Sequence, residues 1–169
     1  QIRRCITEMM DLTVPFRLKY RSVNLRELVE ECLRIVEQRM TYQGVHAVCR
    51  LSSKVTDVWV DPERMEQALV NLLLNALEAL PKAGRIFISS KASMENGEPL
   101  VHIRVADDGP GIPKEKRPYV FDPFFGQKAG GIGLGLGNVK KIVEAHGGRV
   151  VVTERAPKGV AFTLVLPRK

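Results

Sequence analysis

Two asparagines one helical turn apart, Asn71 and Asn75, stand in DPERMEQALVNLLLNALEAL, residues 61–80. At about 100° per residue they share a narrow arc with Arg64, Gln67 and Glu78, and apolar side chains fill nearly all of the rest. A helix apolar over most of its circumference is a buried one, and burying two unpartnered amides would cost roughly a few kcal/mol each. The stripe therefore faces either solvent or a polar ligand. A second group, DDGPGIP from Asp107, ends a buried-type strand in two carboxylates followed by glycines. A carboxylate there can accept a hydrogen bond from a ligand amino group, while Gly109 and Gly111 let a planar ring approach the backbone; the same residues also suit an ordinary turn. The third group, GGIGLGLG from Gly130, leads into a helix. Alternate glycines there leave N–H groups free beside the positive end of the helix dipole, which suits a phosphate. No register gives GxGxxG and no GK[ST] exists, so the dinucleotide fingerprint and the P-loop are both excluded. Lys128 stands just before these glycines, either to reach a terminal phosphate or as a solvated loop lysine.

The elements that must hold these groups have readable boundaries. Asp61 is an N-cap, Pro62 occupies the first helical position, and Pro81 and Gly84 close that helix. An earlier helix opens on a capping box, Asn24 with Glu27, and keeps Leu25, Leu28, Val29, Cys32, Val36 and Met40 on its core face as far as Gly44. A third helix spans 134–146, ending at Gly147-Gly148. Strands are expected at 45–51, 55–60, 85–90, 100–106, 150–153 and 160–166, with turns at Glu95-Asn96-Gly97 and Pro157-Lys158-Gly159. Alternation in the fourth strand puts His102 on an outer face. From Asp107 to Gly131 periodicity is lost over more than the roughly 12–15 residues of ordinary loops, which marks a functional or a disordered segment. The order of elements predicts an α/β fold: a two-layer sandwich with a mixed, mostly antiparallel sheet and three helices on one face. Residues 1–12 have helical character without a start signal, and Pro15 breaks it.

Composition narrows the function classes. With 169 residues, 44% of them hydrophobic, the chain suits one domain with a real core. No apolar run approaches the roughly 18 residues of a membrane span, and QIRRCITEMM lacks the apolar centre of a signal peptide. Cys5, Cys32 and Cys49 form no CxxC, against both a disulfide framework and a zinc site and in keeping with the cytoplasm. The net charge of +7 comes from scattered basic residues with one Trp and three Tyr for stacking, so no nucleic-acid partner is expected.

The ordered motifs resemble the catalytic, ATP-binding domain of sensor histidine kinases, within the Bergerat-fold ATPases that include gyrase and the large heat-shock chaperone. NLLLNALEAL from Asn71 matches the asparagine box, DDGPGIP from Asp107 and GIGLGLGNVKKIVEAHGG from Gly131 the two glycine boxes, and FDPFF from Phe121 the phenylalanine box. With FTLVLP from Phe162 they cover residues 23–167, and the NALEAL form resembles the nitrogen-regulatory type. The resemblance implies ATP and Mg²⁺ as cofactors. Asp107 would bind the adenine amino group, with Thr163 helping through water, and Gly109, Gly111 and Ile112 would line the base. Asn75 would hold Mg²⁺, and Asn71 would contact the metal's waters or the phosphates. Gly131, Gly133, Leu134, Gly135 and Leu136 would surround the phosphates, and Lys128 would neutralise charge during transfer. Residues 113–130 would form a lid that Phe121, Phe124 and Phe125 anchor or dock elsewhere, unless they simply pack in the core.

The hydrolytic relatives carry glutamate where this chain has Asn71, a poor general base, so the resemblance favours transfer over hydrolysis. Ile132 stands where the family has threonine, and Gly126-Gln127 replaces a threonine pair. His46, His102 and His146 are followed by Ala47, Ile103 and Gly147, which do not fit a phosphoacceptor. Residues 1–15 would then be the end of a second dimerisation helix and its linker, and 16–169 the catalytic domain. The implied partners are a histidine-bearing dimerisation domain of the same protein and a response regulator. The fragment would be largely monomeric and free of membrane contact, in a homodimeric, cytoplasmic-facing parent that is either soluble or membrane-anchored. Two other readings share the motifs: a serine kinase of the anti-sigma type and a nucleotide-sensing module without catalysis.

Overall fold

A computed structural model of the chain describes residues 17–123, 125 and 134–168. The expected dimerisation-helix end at 1–15 lies outside the described residues. Strand β1 (Arg21–Asn24) runs into helix α1 (Leu25–Gln43), followed by β2 (Val45–Arg50), β3 (Asp57–Val60) and helix α2 (Pro62–Ala79). Strands β4 (Gly84–Glu95) and β5 (Glu98–Asp107) form a long hairpin; a 3-10 turn (Lys114–Tyr119), helix α3 (Gly135–Ala145), β6 (Arg149–Glu154) and β7 (Val160–Pro167) complete the chain.

The main sheet has the order β2-β4-β5-β7-β6, with β2 and β4 parallel and every other neighbour antiparallel. β1 and β3 pair separately, Arg21 opposite Val60. The β4–β5 hairpin is longer than expected because Asn96 (φ 51°) and Gly97 (φ 82°) make a tight two-residue turn, so pairing runs to Glu95 opposite Glu98. Polar residues such as Lys91 and Ser93 hid that extension, since they carry no apolar alternation.

The three helices lie side by side and bury one face of the sheet. Met65, Ala68, Leu69, Leu72, Leu73, Ala76 and Leu77 of α2 sit against Ile86, Ile103, Val105, Phe162 and Leu164 in a single apolar core. Burying each large apolar side chain contributes about 2 kcal/mol. As its pattern predicts, α1 starts on Asn24, whose side chain accepts from the N–H groups of Arg26 and Glu27, and ends at Gly44 in the left-handed conformation. No helix among the described residues is long and apolar enough to cross a membrane.

Asp61 ties three elements together. Its Oδ1 accepts from the N–H of Arg64 at 3.1 Å, its Oδ2 from the N–H of Lys19 at 2.8 Å, and its own N–H donates to His146 Nε2 at 3.0 Å. His146 in turn donates through Nδ1 to the Ile142 carbonyl at 2.7 Å, and Tyr20 stands edge-on to its ring. This ring is therefore neutral. Burial holds it below the ordinary imidazole value of 6.5, with the Ile142 carbonyl and Asp61 opposing in part. A histidine depressed in the folded chain is protonated first in the unfolded one. Its stabilisation is present above 6.5 and is lost as pH falls through the lower folded value. The urea midpoint should fall as pH drops below 6.5, and His146→Gln, which can accept but not titrate, should flatten that profile. Equal pH slopes for the two proteins would contradict this assignment.

Candidate functional site

Helix α2 carries Asn71 and Asn75 on a half-buried face while seven of its other residues are buried in the core. Side chains from other elements fix both of its ends. At the N-terminus this is the Asp61 arrangement; at the C-terminus Gln43 of α1 donates through Nε2 to the Leu77 and Leu80 carbonyls at 3.1 and 3.2 Å. Arg64 Nη1 donates to Gln67 Oε1 at 3.1 Å, so the N-terminal part of the stripe is occupied by internal bonds. Asn75 is different: among the described residues its amide has no hydrogen-bond partner.

The start of α3 lies beside Asn71, whose Nδ2 donates to the Gly135 carbonyl at 3.4 Å. A Cβ on Gly135 would sit 3.8 Å from Asn71 Cγ, in ordinary van der Waals contact, so the approach does not itself require glycine. Leu134, at the N-cap, is buried and offers no capping side chain, which leaves the first N–H groups of the helix for another acceptor. Leu136 packs partly against the core. The buried amide of Asn138, two residues on, has no hydrogen-bond partner among the described residues for either of its polar atoms, a cost that sequence patterning did not reveal.

The two carboxylates at the end of β5 have separate tasks. Asp108 accepts from the N–H of Arg85 at 2.7 Å and from its Nε at 3.1 Å. Asp107 is buried on the helix-covered face, opposite Ile86, and its Oδ1 accepts from the N–H of Gly109 at 2.9 Å. Burial pushes its carboxyl above the ordinary range and the Asp108 charge adds to this, against the N–H groups of Gly109 and Val160 and the charge of Arg155. A Cβ on Gly109 would come 2.8 Å from that carboxylate and 3.2 Å from the Ala79 carbonyl, so Gly109 wedges between Asp107 and the end of α2. Gly111 passes close to Gly159, and Ile112 is half-buried against the core.

The structure thus brings Asn71, Asn75, Gly135, Asp107 and Gly109 along α2. It does not bring Thr163 to them. Thr163 pairs with Arg104 on the far face of the sheet, while Phe162 and Leu164 on either side of it point to the core. The placement beside Asp107 is corrected on that ground. The alternation of FTLVLP carried the signal: with Phe162 inward, Thr163 must point outward. From β7 it is instead the backbone N–H of Val160 that supports Asp107. Lys128, Gly131, Gly133 and Phe124 lie outside the described residues. Phe121 meets Phe162 edge-on at 6.2 Å, and Phe125 also packs on the core.

Chemically, the cleft offers a buried acceptor at one end, helix N–H groups without a capping side chain among the described residues at the other, and amide oxygens between. Among the described residues no three His, Cys, Asp or Glu side chains cluster as a metal site. A hard cation here would have an amide oxygen of Asn75 as its protein ligand and would need water or ligand oxygens for the rest.

Residues 60–169 match the model of the family of histidine kinase-, DNA gyrase B- and HSP90-like ATPases. The sensor histidine kinase ZraS of Klebsiella oxytoca is 36% identical over 99% of this chain and 36% of its own length. The chain spans about a third of the length of such relatives. Among solved structures, the nucleotide-free catalytic domain of histidine kinase ThkA aligns with TM-score 0.77 and 31% identity over 89% of this chain and 97% of that one. ThkA in complex with the response regulator protein TrrA gives 0.82 and 28%, over 99% and 47% of the two chains. Full-length ShkA in complex with AMPPNP gives 0.85 and 25%, over 99% and 36%.

The position of Asp107 depends on Gly159, where φ is +110° and an added Cβ would lie 1.9 Å from the Asp107 carbonyl oxygen. Gly159→Ala should therefore lower stability by about 3 kcal/mol or more, measured by urea unfolding. A change within about 0.5 kcal/mol, the range of ordinary surface substitutions, would contradict the close approach.

Proposed function

The chain belongs to the family of histidine kinase-, DNA gyrase B- and HSP90-like ATPases, alongside the catalytic domains of histidine kinases, and from that premise we propose that it binds Mg-ATP along α2 and transfers the γ-phosphoryl group to a histidine outside this chain. The observation that carries the reading is the spacing along one helix. Asn71 touches the start of α3, and Ala79, eight residues later, touches Gly109 beside Asp107. At 1.5 Å per residue the two ends are about 12 Å apart, a span suited to an extended nucleoside triphosphate.

In this reading Asp107 accepts a hydrogen bond from the adenine amino group in addition to those from the Gly109 and Val160 N–H groups. The first N–H groups of α3, with Gly131 and Gly133 before them, take the phosphates. Asn75 holds Mg²⁺, whose charge, when bound, screens the phosphate oxygens. Lys128 adds positive charge near the γ-phosphate. Asn71 cannot act as a strong base, so water is not activated and the phosphoryl group passes to a better placed acceptor. The histidine lies on a dimerisation domain of the same protein, and the phosphoryl group goes on to a response regulator. Support for that last step is the ThkA complex with its response regulator; support for the nucleotide is ShkA with AMPPNP. The site works on the cytoplasmic side, where ATP is found.

Calorimetry with ADP and Mg²⁺ should show binding that Asp107→Asn weakens about ten- to a hundredfold, the value of a hydrogen bond to a charged group. Unchanged binding would remove Asp107 from the site. Asn75→Ala should abolish the Mg²⁺ dependence of that binding while leaving the metal-free affinity nearly intact. Mixing the chain with labelled ATP and a histidine-bearing helical hairpin should yield phosphohistidine. Saturating ATP binding without phosphohistidine would favour a nucleotide-sensing module, and label on a serine protein would favour a serine kinase.

A further inference from the structure

The face of the main sheet turned away from the helices carries a concavity of about 350 Å³, within the size range of small-molecule sites. Two rungs of the sheet form it. In one, Lys91, His102, Val165 and Arg149 stand opposite one another across β4, β5, β7 and β6; in the next, Ser89, Arg104, Thr163 and Val151 do so. At about 4.8 Å between strands each rung is about 14 Å wide.

Outer sheet faces ordinarily gain stability from opposite charges placed across strands. This one does not. Arg149 is paired with Glu95 at 2.6 Å, but Lys91 and Arg104 have no carboxylate partner among the described residues. Arg104 is half-buried, and desolvation followed by the nearby charge of Arg155 holds its guanidinium below the ordinary value. Arg155 is itself held at 3.9 Å over the Phe87 ring, so it stays beside Arg104. His102 bonds Ser93 Oγ at 2.7 Å, and burial together with Lys91 and Arg149 favours its neutral form. The fold therefore keeps two uncompensated cations over a floor bearing the hydroxyls of Ser89 and Thr163, with Val151 and Val165 beside them.

We propose that this concavity binds a phosphate monoester on a small organic body. Its double negative charge matches Lys91 and Arg104, its remaining oxygens accept from Ser89 and Thr163, and its apolar body lies on Val151 and Val165. Arg and hydroxyl donors are the usual partners of such an anion. The site is separate from the nucleotide cleft, because Thr163 and Arg104 lie on the opposite face of the sheet from Asp107.

NMR of the whole chain, labelled on arginine side chains and backbone amides, tests this with phenyl phosphate as probe and benzoate as a singly charged comparison. Phenyl phosphate should cause saturable shifts at Arg104 Nε and at the amides of Ser89, Val151 and Thr163. Benzoate should bind more weakly. Arg104→Gln and Lys91→Gln, two independent variants, should each weaken phenyl phosphate about tenfold, whereas Asp107→Asn and Lys116→Gln should leave it unchanged. Shifts that never saturate, that spread evenly over Lys114 and Lys116, or that persist in both variants would overturn the site. Shifts centred on Gly109 and Gly135 and lost with Asp107→Asn would place the probe in the nucleotide cleft instead. Benzoate binding as tightly as phenyl phosphate would overturn the assignment to a phosphate.

Discussion

Everything at the cleft depends on holding one mostly apolar helix rigidly while its amides stay available. The core alone cannot do this, since apolar contacts are non-directional and would tolerate a helix rotated or slid by a fraction of a turn. Polar contacts at the two ends of α2 remove that freedom. Asp61 joins the N-terminus to Lys19 and to His146, which is locked to the end of α3. Gln43 from the end of α1 closes the C-terminus. Burial pushes the Asp61 carboxyl up, but the N–H groups of Lys19, Arg64 and Glu63 and the nearby His146 outweigh it and hold it below the ordinary range. Because Lys19 and Tyr20 belong to the segment leading into β1, the helix that bears Asn71 and Asn75 is also fixed to the chain arriving from the N-terminal side.

The cleft itself is where the molecule departs from what stability alone would select. Asp107 is a carboxylate in a place that penalises its charge, and Asn138 is a buried amide with neither polar atom satisfied among the described residues. Asn75 is held toward the cleft with no partner of its own among the described residues. A core built only to be stable would hold apolar groups at such positions, as α2 does on its other faces. Departures of this kind concentrate at functional sites, where a ligand completes what the protein leaves open.

Much of this was legible in the residues because it rests on local rules. Asn24 and Asp61 cap helices as their types predict, Asn96-Gly97 makes the tight hairpin turn, and the 3.6-residue pattern of α2 separates its amides from its core residues. Long-range partners were not legible. His146 reads as a packing or capping residue, yet its contact with Asp61 spans 85 positions. The two carboxylates of DDG look alike in sequence, and only the register of β4 against β5 gives Asp108 to Arg85 and leaves Asp107 buried. The outward position of Thr163 was legible, since the strict alternation of its strand outweighs proximity in sequence to the motifs. Thr163 lies on the basic outer face, whose cations come from three strands and the turn after β6 and form no run in the sequence.

The central claim is that Asn75 and Asp107 mark the two halves of one nucleotide site. Its most direct test is side-chain and backbone NMR of the whole chain titrated with AMPPNP and Mg²⁺. The Asn75 side-chain amide should shift only when Mg²⁺ is present, while the Gly109 and Gly135 amides should shift with the nucleotide in either case. Saturable binding that leaves Asn75, Gly109 and Gly135 unmoved would contradict it.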